Sequence, residues 1–250
     1  MPVQPLEAIR FDLHGTNAIF KKPDVNTTYF TYNNIHKIAL FGLVGAIMGY
    51  AGYTNSSKDA KYPEFYEKLK DLKICIVPRA PKGYFSKKIQ VFNNSVGYAS
   101  FEEGGNLVVK EQWLENPKWT IYISDPEGKS PEQYNKLKNM LLNGECVYTP
   151  YLGKNDHPAS ISNCTVIELS ETHENFLNCL FPSDIGDLDE FETWDGMELG
   201  FIFKEMSPYH MEENYNFYQF RNFTFTDYIL SKVDENEKFY SDGELNLVFY

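Results

Sequence analysis

The apolar and polar positions along the chain change period several times before residue 160, and each change marks an element. Residues 6–13 alternate as a half-buried strand, with Ile9, Phe11 and Leu13 on one face. Ala18-Ile19-Phe20 continues it, Lys21-Lys22-Pro23 breaks it, and the polar residues 24–32 read as a loop. From Asn33 the pattern becomes helical: an Asn cap precedes twelve uncharged, almost wholly apolar residues, Ile38 to Gly49. A helix apolar on all sides is buried on all sides. Each interior glycine costs about 1 kcal/mol relative to alanine, so Gly42, Gly45 and Gly49 imply close approach of another backbone or a ligand. Pro63 opens a short helix through Asp71, with Phe65 and Leu69 inward. Residues 72–78 are a continuous apolar run, expected in the middle of a sheet. Residues 82–117 read as an insertion, rich in turns, whose alternating runs at 89–92 and 107–110 pair as a hairpin. Residues 118–124 form the next strand. Ser130-Pro131-Glu132-Gln133 has capping-box spacing with Pro at the first helical position, and Gly144 supplies the stop. Residues 146–152 read as a last strand.

Strand, helix, strand, insertion, strand, helix, strand is the βαββαβ order of an α+β, ferredoxin-like (RRM-like) fold. Such open sheets are common RNA platforms, although a fold alone does not set a function. The expected organisation is a palm over residues 1–160, a β-hairpin thumb inserted at about 82–117, and a strand-rich C-terminal extension at 161–250. Within that acidic, aromatic-rich extension, residues 165–169 and 245–249 read as strands and residues 184–198 as a solvated acidic loop.

Composition alters this picture in three places. Aromatic residues make up 16% of the chain, with 18 Tyr and 19 Phe, which suits a β-rich protein and equally suits stacking surfaces for bases. Cys75, Cys146, Cys164 and Cys179 have no metal or redox spacing and read as reduced thiols of a cytoplasmic protein. The first residues lack the basic and apolar regions of a signal peptide, and the apolar run 38–53 is 16 residues, short of the roughly 20 that a membrane span needs. The net charge of −12 speaks against a nucleic-acid partner until it is divided. Residues 1–159 hold 19 Lys/Arg and 16 Asp/Glu, a net of +3, whereas residues 160–250 hold 4 and 19, a net of −15. The first part suits a polyanion and the second does not.

Candidate chemistry is sparse. The glycines at 42, 45 and 49 match neither a dinucleotide fingerprint nor a Walker loop, so no nucleotide cofactor is expected. His14, His36 and His157 lack a nucleophile motif and a second histidine at metal spacing, and no metal is expected. The cations are more suggestive. Lys21, Lys22, Lys37, Arg79, Lys82, Lys87, Lys88 and Lys154 all fall in loops or at element ends, interleaved with Tyr53, Tyr84 and Phe85. Loop cations commonly only solvate a surface; phosphate contact with base stacking is the functional reading.

Three stretches carry a family resemblance. Ala-Ile-Phe-Lys-Lys-Pro (18–23) with Ile-Ala-Leu-Phe-Gly-Leu-Val-Gly-Ala-Ile-Met-Gly (38–49) resembles the N-terminal signature of the CRISPR-associated protein 5 family. Lys-Glu-Gln-Trp-Leu-Glu-Asn-Pro-Lys-Trp-Thr-Ile-Tyr-Ile (110–123) and Tyr-Thr-Pro-Tyr-Leu-Gly-Lys-Asn-Asp-His-Pro-Ala (148–159) are similar to further family segments, closest to the type I-B branch. The resemblance covers roughly residues 5–160. It implies a RAMP-superfamily subunit of Cascade, the RNA-guided surveillance complex, acting in antiviral defence. Such a subunit grips the 5′ handle of the CRISPR RNA (crRNA) and caps the filament of backbone subunits beside the large subunit. It meets target DNA near the protospacer-adjacent motif through the complex. The implied RNA-binding set is Lys21, Lys22, His36, Lys37, Tyr53, Arg79, Lys82, Tyr84, Lys87, Lys88 and Lys154, and no catalytic residue is implied. The type I-C branch cuts precursor RNA with a Tyr and an adjacent Lys-His pair, which this chain lacks; its His36-Lys37 is reversed. A metal-independent endoribonuclease using His36 with Tyr53 or Lys37 is the alternative. An interaction protein that docks through the glycine-bearing helix without RNA is a third.

Overall fold

The computed structural model describes residues 5–24, 27–55, 60–196 and 199–250. Residues 1–4, which carry most of the targeting-segment expectation, lie outside these residues, as do 25–26 of the loop, 56–59, and 197–198 at the end of the acidic run. The chain is a mixed α and β structure, rich in strands. Its centre is β1 (Leu6–His14), in which Ala8 and Ile9, on opposite faces, are both fully buried. Two later strands flank it, both antiparallel: β6 (Lys118–Ser124) and β7 (Ser160–Thr172). The second strand in the chain, β2 (Asn17–Ala18), leaves this sheet and pairs with the hairpin. β3 (Lys73–Pro78) pairs with β6 on the far side from β1. The hairpin consists of β4 (Lys87–Asn93) and β5 (Val108–Glu115), paired antiparallel from Lys87↔Leu114 to Asn93↔Val108.

Beyond β7 the chain adds β8 (Phe181–Pro182), β9 (Gly186–Thr193), β10 (Ile202–Met211) and β11 (Tyr218–Thr226). It closes with β12 (Tyr228–Val233), β13 (Phe239–Ser241) and β14 (Asn246–Val248). The main sheet has the order β14-β13-β7-β1-β6-β3, with every neighbouring pair antiparallel. β10-β11-β8 and β12-β9 form two small further sheets.

Three α-helices occur among the described residues: α1 (Lys37–Met48), α2 (Glu64–Leu69) and α3 (Pro131–Asn143). One face of the main sheet, with Ile9, Phe11, Ile74 and Ile121, packs with Phe41, Val44, Leu137 and Leu141 of α1 and α3. The opposite face, with Ala8, Cys75, Val77 and Tyr122, packs under Leu177, Phe181, Leu230 and Leu247 from the last part of the chain. Burial on both faces is why β3 is continuously apolar from Ile74 to Pro78.

Four local expectations are corrected. The helix cap is His36, whose Nδ1 accepts the Ala39 N–H at 3.2 Å. Asn33 and Asn34 instead tie the helix start to the base of the hairpin, each donating its side-chain amide to the Gly83 carbonyl (3.1 and 3.0 Å). Residues 146–152 form no strand. Val147 and Tyr148 donate their amides to the Ile47 and Ala46 carbonyls (2.8 and 3.2 Å), closing the C-terminal end of α1, and Pro150 has no donor to give. The strand in that place is β7, opening at Ser160, where the palm was expected to end. The acidic run is not simply a loop, since most of it forms β9 against β12. Finally, Ser130 precedes α3 without a side-chain cap bond, although Gly144 ends that helix at φ +68° as expected.

The glycines of α1 divide by role. A Cβ on Gly45 would stand 2.5 Å from Cβ of Phe65, so Gly45 admits α2 rather than the sheet. Gly49 takes the left-handed cap at φ +79°. A Cβ on Gly42 would meet nothing within 4 Å. That open side faces the site described next.

Candidate nucleic-acid interface

The side of α1 turned away from the core carries Ala39, Gly42, Ala46 and Gly49, half-exposed residues with almost no side chain. They form the floor of a groove of about 710 Å³, inside the usual range for ligand clefts. Its walls come from distant segments: Tyr50 and Tyr53 after α1, Tyr148 and Tyr151 before β7, and Tyr218 at the start of β11. Tyr53, Tyr148 and Tyr151 are 52, 60 and 44% exposed, and Tyr53 also meets the Phe65 ring at 5.7 Å. Lys21 and His36 also line the groove.

His36 is buried, with ring edges against Phe20, Tyr32 and Tyr218 at 6.3, 5.2 and 5.9 Å. Burial pushes its pKa down to about 3, so the ring is neutral at physiological pH. With Nδ1 accepting the cap bond, the proton lies on Nε2. The Tyr53 hydroxyl lies 3.4 Å from that of Tyr218, and its pKa is raised by burial and by that contact.

The structure distributes the sequence-predicted cations over separate places. Lys21 stands over the Tyr29 ring at 3.3 Å, beside the groove. Lys22 pairs with Glu205 at 3.5 Å. Lys87 lies close enough to feel both, and burial lowers its pKa. Glu205 itself has a raised pKa from burial, which the bonds from the Asn33 N–H (3.1 and 2.9 Å) and Lys22 only partly offset. Around Trp113 of the hairpin, Lys88 pairs with Glu115 (3.8 Å) and Lys154 with Glu111 (3.2 Å), both ammonium groups lying over the Trp113 ring. Arg79 donates Nε to Thr120 Oγ1 at 2.8 Å, while Lys82 and Tyr84 are exposed at the foot of the hairpin.

Lys37 is the exception. It is 3% exposed and stacks its ammonium over Tyr209 (4.8 Å) and Phe41 (5.6 Å) on the far side of α1 from the groove floor. Burial, helped by Lys73 and Arg221, pushes its pKa down to about 7. The geometry therefore joins Lys21, His36 and Tyr53 along one groove, joins Lys22 with Lys87, and joins Lys88 with Lys154. Tyr148, Tyr151 and Tyr218 were missed. The signal for the groove was in α1, where small residues at 39, 42, 46 and 49 recur at helical spacing among large apolar ones.

No metal-binding cluster of three or more His, Cys, Asp or Glu occurs among the described residues, and no helix there is long and apolar enough to cross a membrane.

Compared with known proteins, the fold is similar to that of a chain from a "CRISPR RNA-guided surveillance complex". The TM-score is 0.54 at 12% identity, over 90% of this chain and 91% of that one. Two further solved structures score lower: a CRISPR protein from Archaeoglobus fulgidus (TM-score 0.47, 10% identity, 97% and 98% covered) and a Cas protein (0.46, 12%, 89% and 95%). No protein-family model matches the sequence, and no curated protein does either.

Proposed function

We propose that this chain is a non-catalytic, RNA-binding subunit of a CRISPR RNA-guided surveillance complex, of the CRISPR-associated protein 5 kind and the type I-B branch. In this reading it grips the 5′ handle of the CRISPR RNA and caps the backbone-subunit filament next to the large subunit, in the cytoplasm. The observation that carries the reading is the fold likeness over nine-tenths of both chains. The strand order β7-β1-β6-β3, with α1 and α3 on one face, supports a ferredoxin-like palm. The hairpin β4–β5 stands beside it in the place of a thumb.

The RNA backbone would run from the foot of the hairpin, past Lys82 and Lys87, to Lys21. Contacts of this kind release counterions, so affinity falls steeply with salt. The ribonuclease alternative draws less support. His36 spends Nδ1 on the helix cap and offers only a donor from Nε2, and Lys37 lies on another side of α1. A general base needs a free acceptor within reach of the hydroxyl it activates.

Co-expression with candidate backbone and large subunits, followed by sequencing of retained RNA, tests the proposal. Repeat-derived RNA is expected in the purified complex. In Lys82→Ala/Lys87→Ala, the slope of log affinity against log salt should flatten by roughly 0.7 for each phosphate that is no longer neutralised. A complex that assembles with a protein-only absorbance ratio overturns the proposal, and repeat RNA cut in EDTA by the pure chain would replace it with the enzyme reading.

A further inference from the structure

We infer that the groove on α1 takes an unpaired nucleotide of single-stranded RNA, its base over the small-residue floor and between tyrosine rings, its phosphate at Lys21. The inference rests on the RNA-binding reading and adds to it a base-holding site.

Three observations converge. The floor leaves room because Ala39, Gly42 and Ala46 present no side chain beyond Cβ, and a Cβ at Gly42 would still meet nothing within 4 Å. Tyr148 and Tyr151 are well exposed, and neither stacks on another ring among the described residues. Exposed rings without a ring partner suit a base, because every base offers a π face of its own. Lys21, also exposed, supplies a cation at one end.

The third observation is His36. It is 8% exposed and lines the groove, and its Nδ1 is occupied by the Ala39 N–H. No described residue accepts a hydrogen bond from Nε2–H. That donor distinguishes the possible occupants. An apolar helix laid on the small-residue floor would bury it unsatisfied, which is unfavourable. A base edge carries carbonyl and ring-nitrogen acceptors that meet it. Burial holds the ring neutral down to a pKa of about 3, so the donor stays in one tautomer across the physiological range.

Saturation-transfer NMR on the full chain with each of the four nucleoside 5′-monophosphates is the test. At least one is expected to bind, with a millimolar Kd and transfer strongest at its base protons. Gly42→Leu, which fills the floor, should abolish transfer. Tyr148→Ala and Lys21→Ala should each weaken binding several-fold, and a thermal melt of each variant separates loss of binding from loss of fold. Absence of transfer from all four nucleotides, or transfer unchanged in folded Gly42→Leu and Tyr148→Ala, overturns the inference. So does a photo-crosslink from Tyr148 in the assembled complex that reaches a protein subunit rather than RNA. A complex that retains repeat RNA while the free chain takes up no nucleotide removes the groove alone. Uptake in the groove without RNA in the complex removes the subunit reading alone.

Discussion

Lys37 shows what one residue's burial does. A buried ammonium over Tyr209 and Phe41, with no carboxylate at ion-pair distance among the described residues, is favoured in its neutral form. Because its folded pKa falls from 10.5 to about 7, the unfolded chain binds more protons between those values, and stability rises with pH across that window. Below pH 7 the full penalty is present, on the order of a few kcal/mol. Lys37→Met should therefore be more stable than the parent at pH 6, with the gap closing towards pH 10, as urea titrations at both pH values would show. Glu205 carries a second prediction at this scale, since it neutralises Lys22 and faces Lys87. Glu205→Gln should tighten RNA binding by the assembled complex several-fold at low salt and steepen its salt dependence, measured by filter binding. The candidate cations were legible as charges between elements, but their partners were not. Glu205 and Tyr209 lie more than 160 residues from Lys22 and Lys37, and only the fold brings them together.

At the scale of elements, α1 separates two effects that a glycine combines. Gly45→Ala drives a methyl group against Phe65 and should lower Tm, whereas Gly42→Ala points into the groove and should raise stability by about 1 kcal/mol. Calorimetry of the two variants checks both signs. The hairpin behaves differently, since Ile89, Val91 and Val108 are exposed and β4 pairs only with β5. Replacing residues 95–106 by Asn-Gly should leave Tm within about 3 °C and, on the proposed subunit role, abolish co-purification with a backbone subunit. Strands β1, β3 and β6 were legible because apolar alternation or continuous apolar runs report burial directly. β7 was legible only over residues 165–169, and there as part of the extension; its opening at Ser160 was not, because those positions mix Ser, Asn and Ile, and the neighbouring residues 146–152 offered a more apolar imitation. β9 was hidden by acidic residues, which reveal charge and not pairing.

The whole molecule sets a basic first part against an acidic last part, and the two are packed through the main sheet. The last part supplies Glu205 to the cation cluster and Tyr218 to the groove. Charge division along the chain therefore does not become two separate faces. Free chain should bind single-stranded RNA at least tenfold more weakly than the assembled complex at 150 mM salt, a comparison for fluorescence anisotropy. The same packing has a cost in time. β1 is made well before both of its partners, which begin at Lys118 and Ser160. At roughly 5–20 residues per second of synthesis, Ile9, Phe11 and Leu13 wait about 5–20 s for the first of them and longer for the second. During that interval the future centre of the protein is an unpaired apolar strand at the exit of the ribosome, and its yield in a cell depends on what shelters it there.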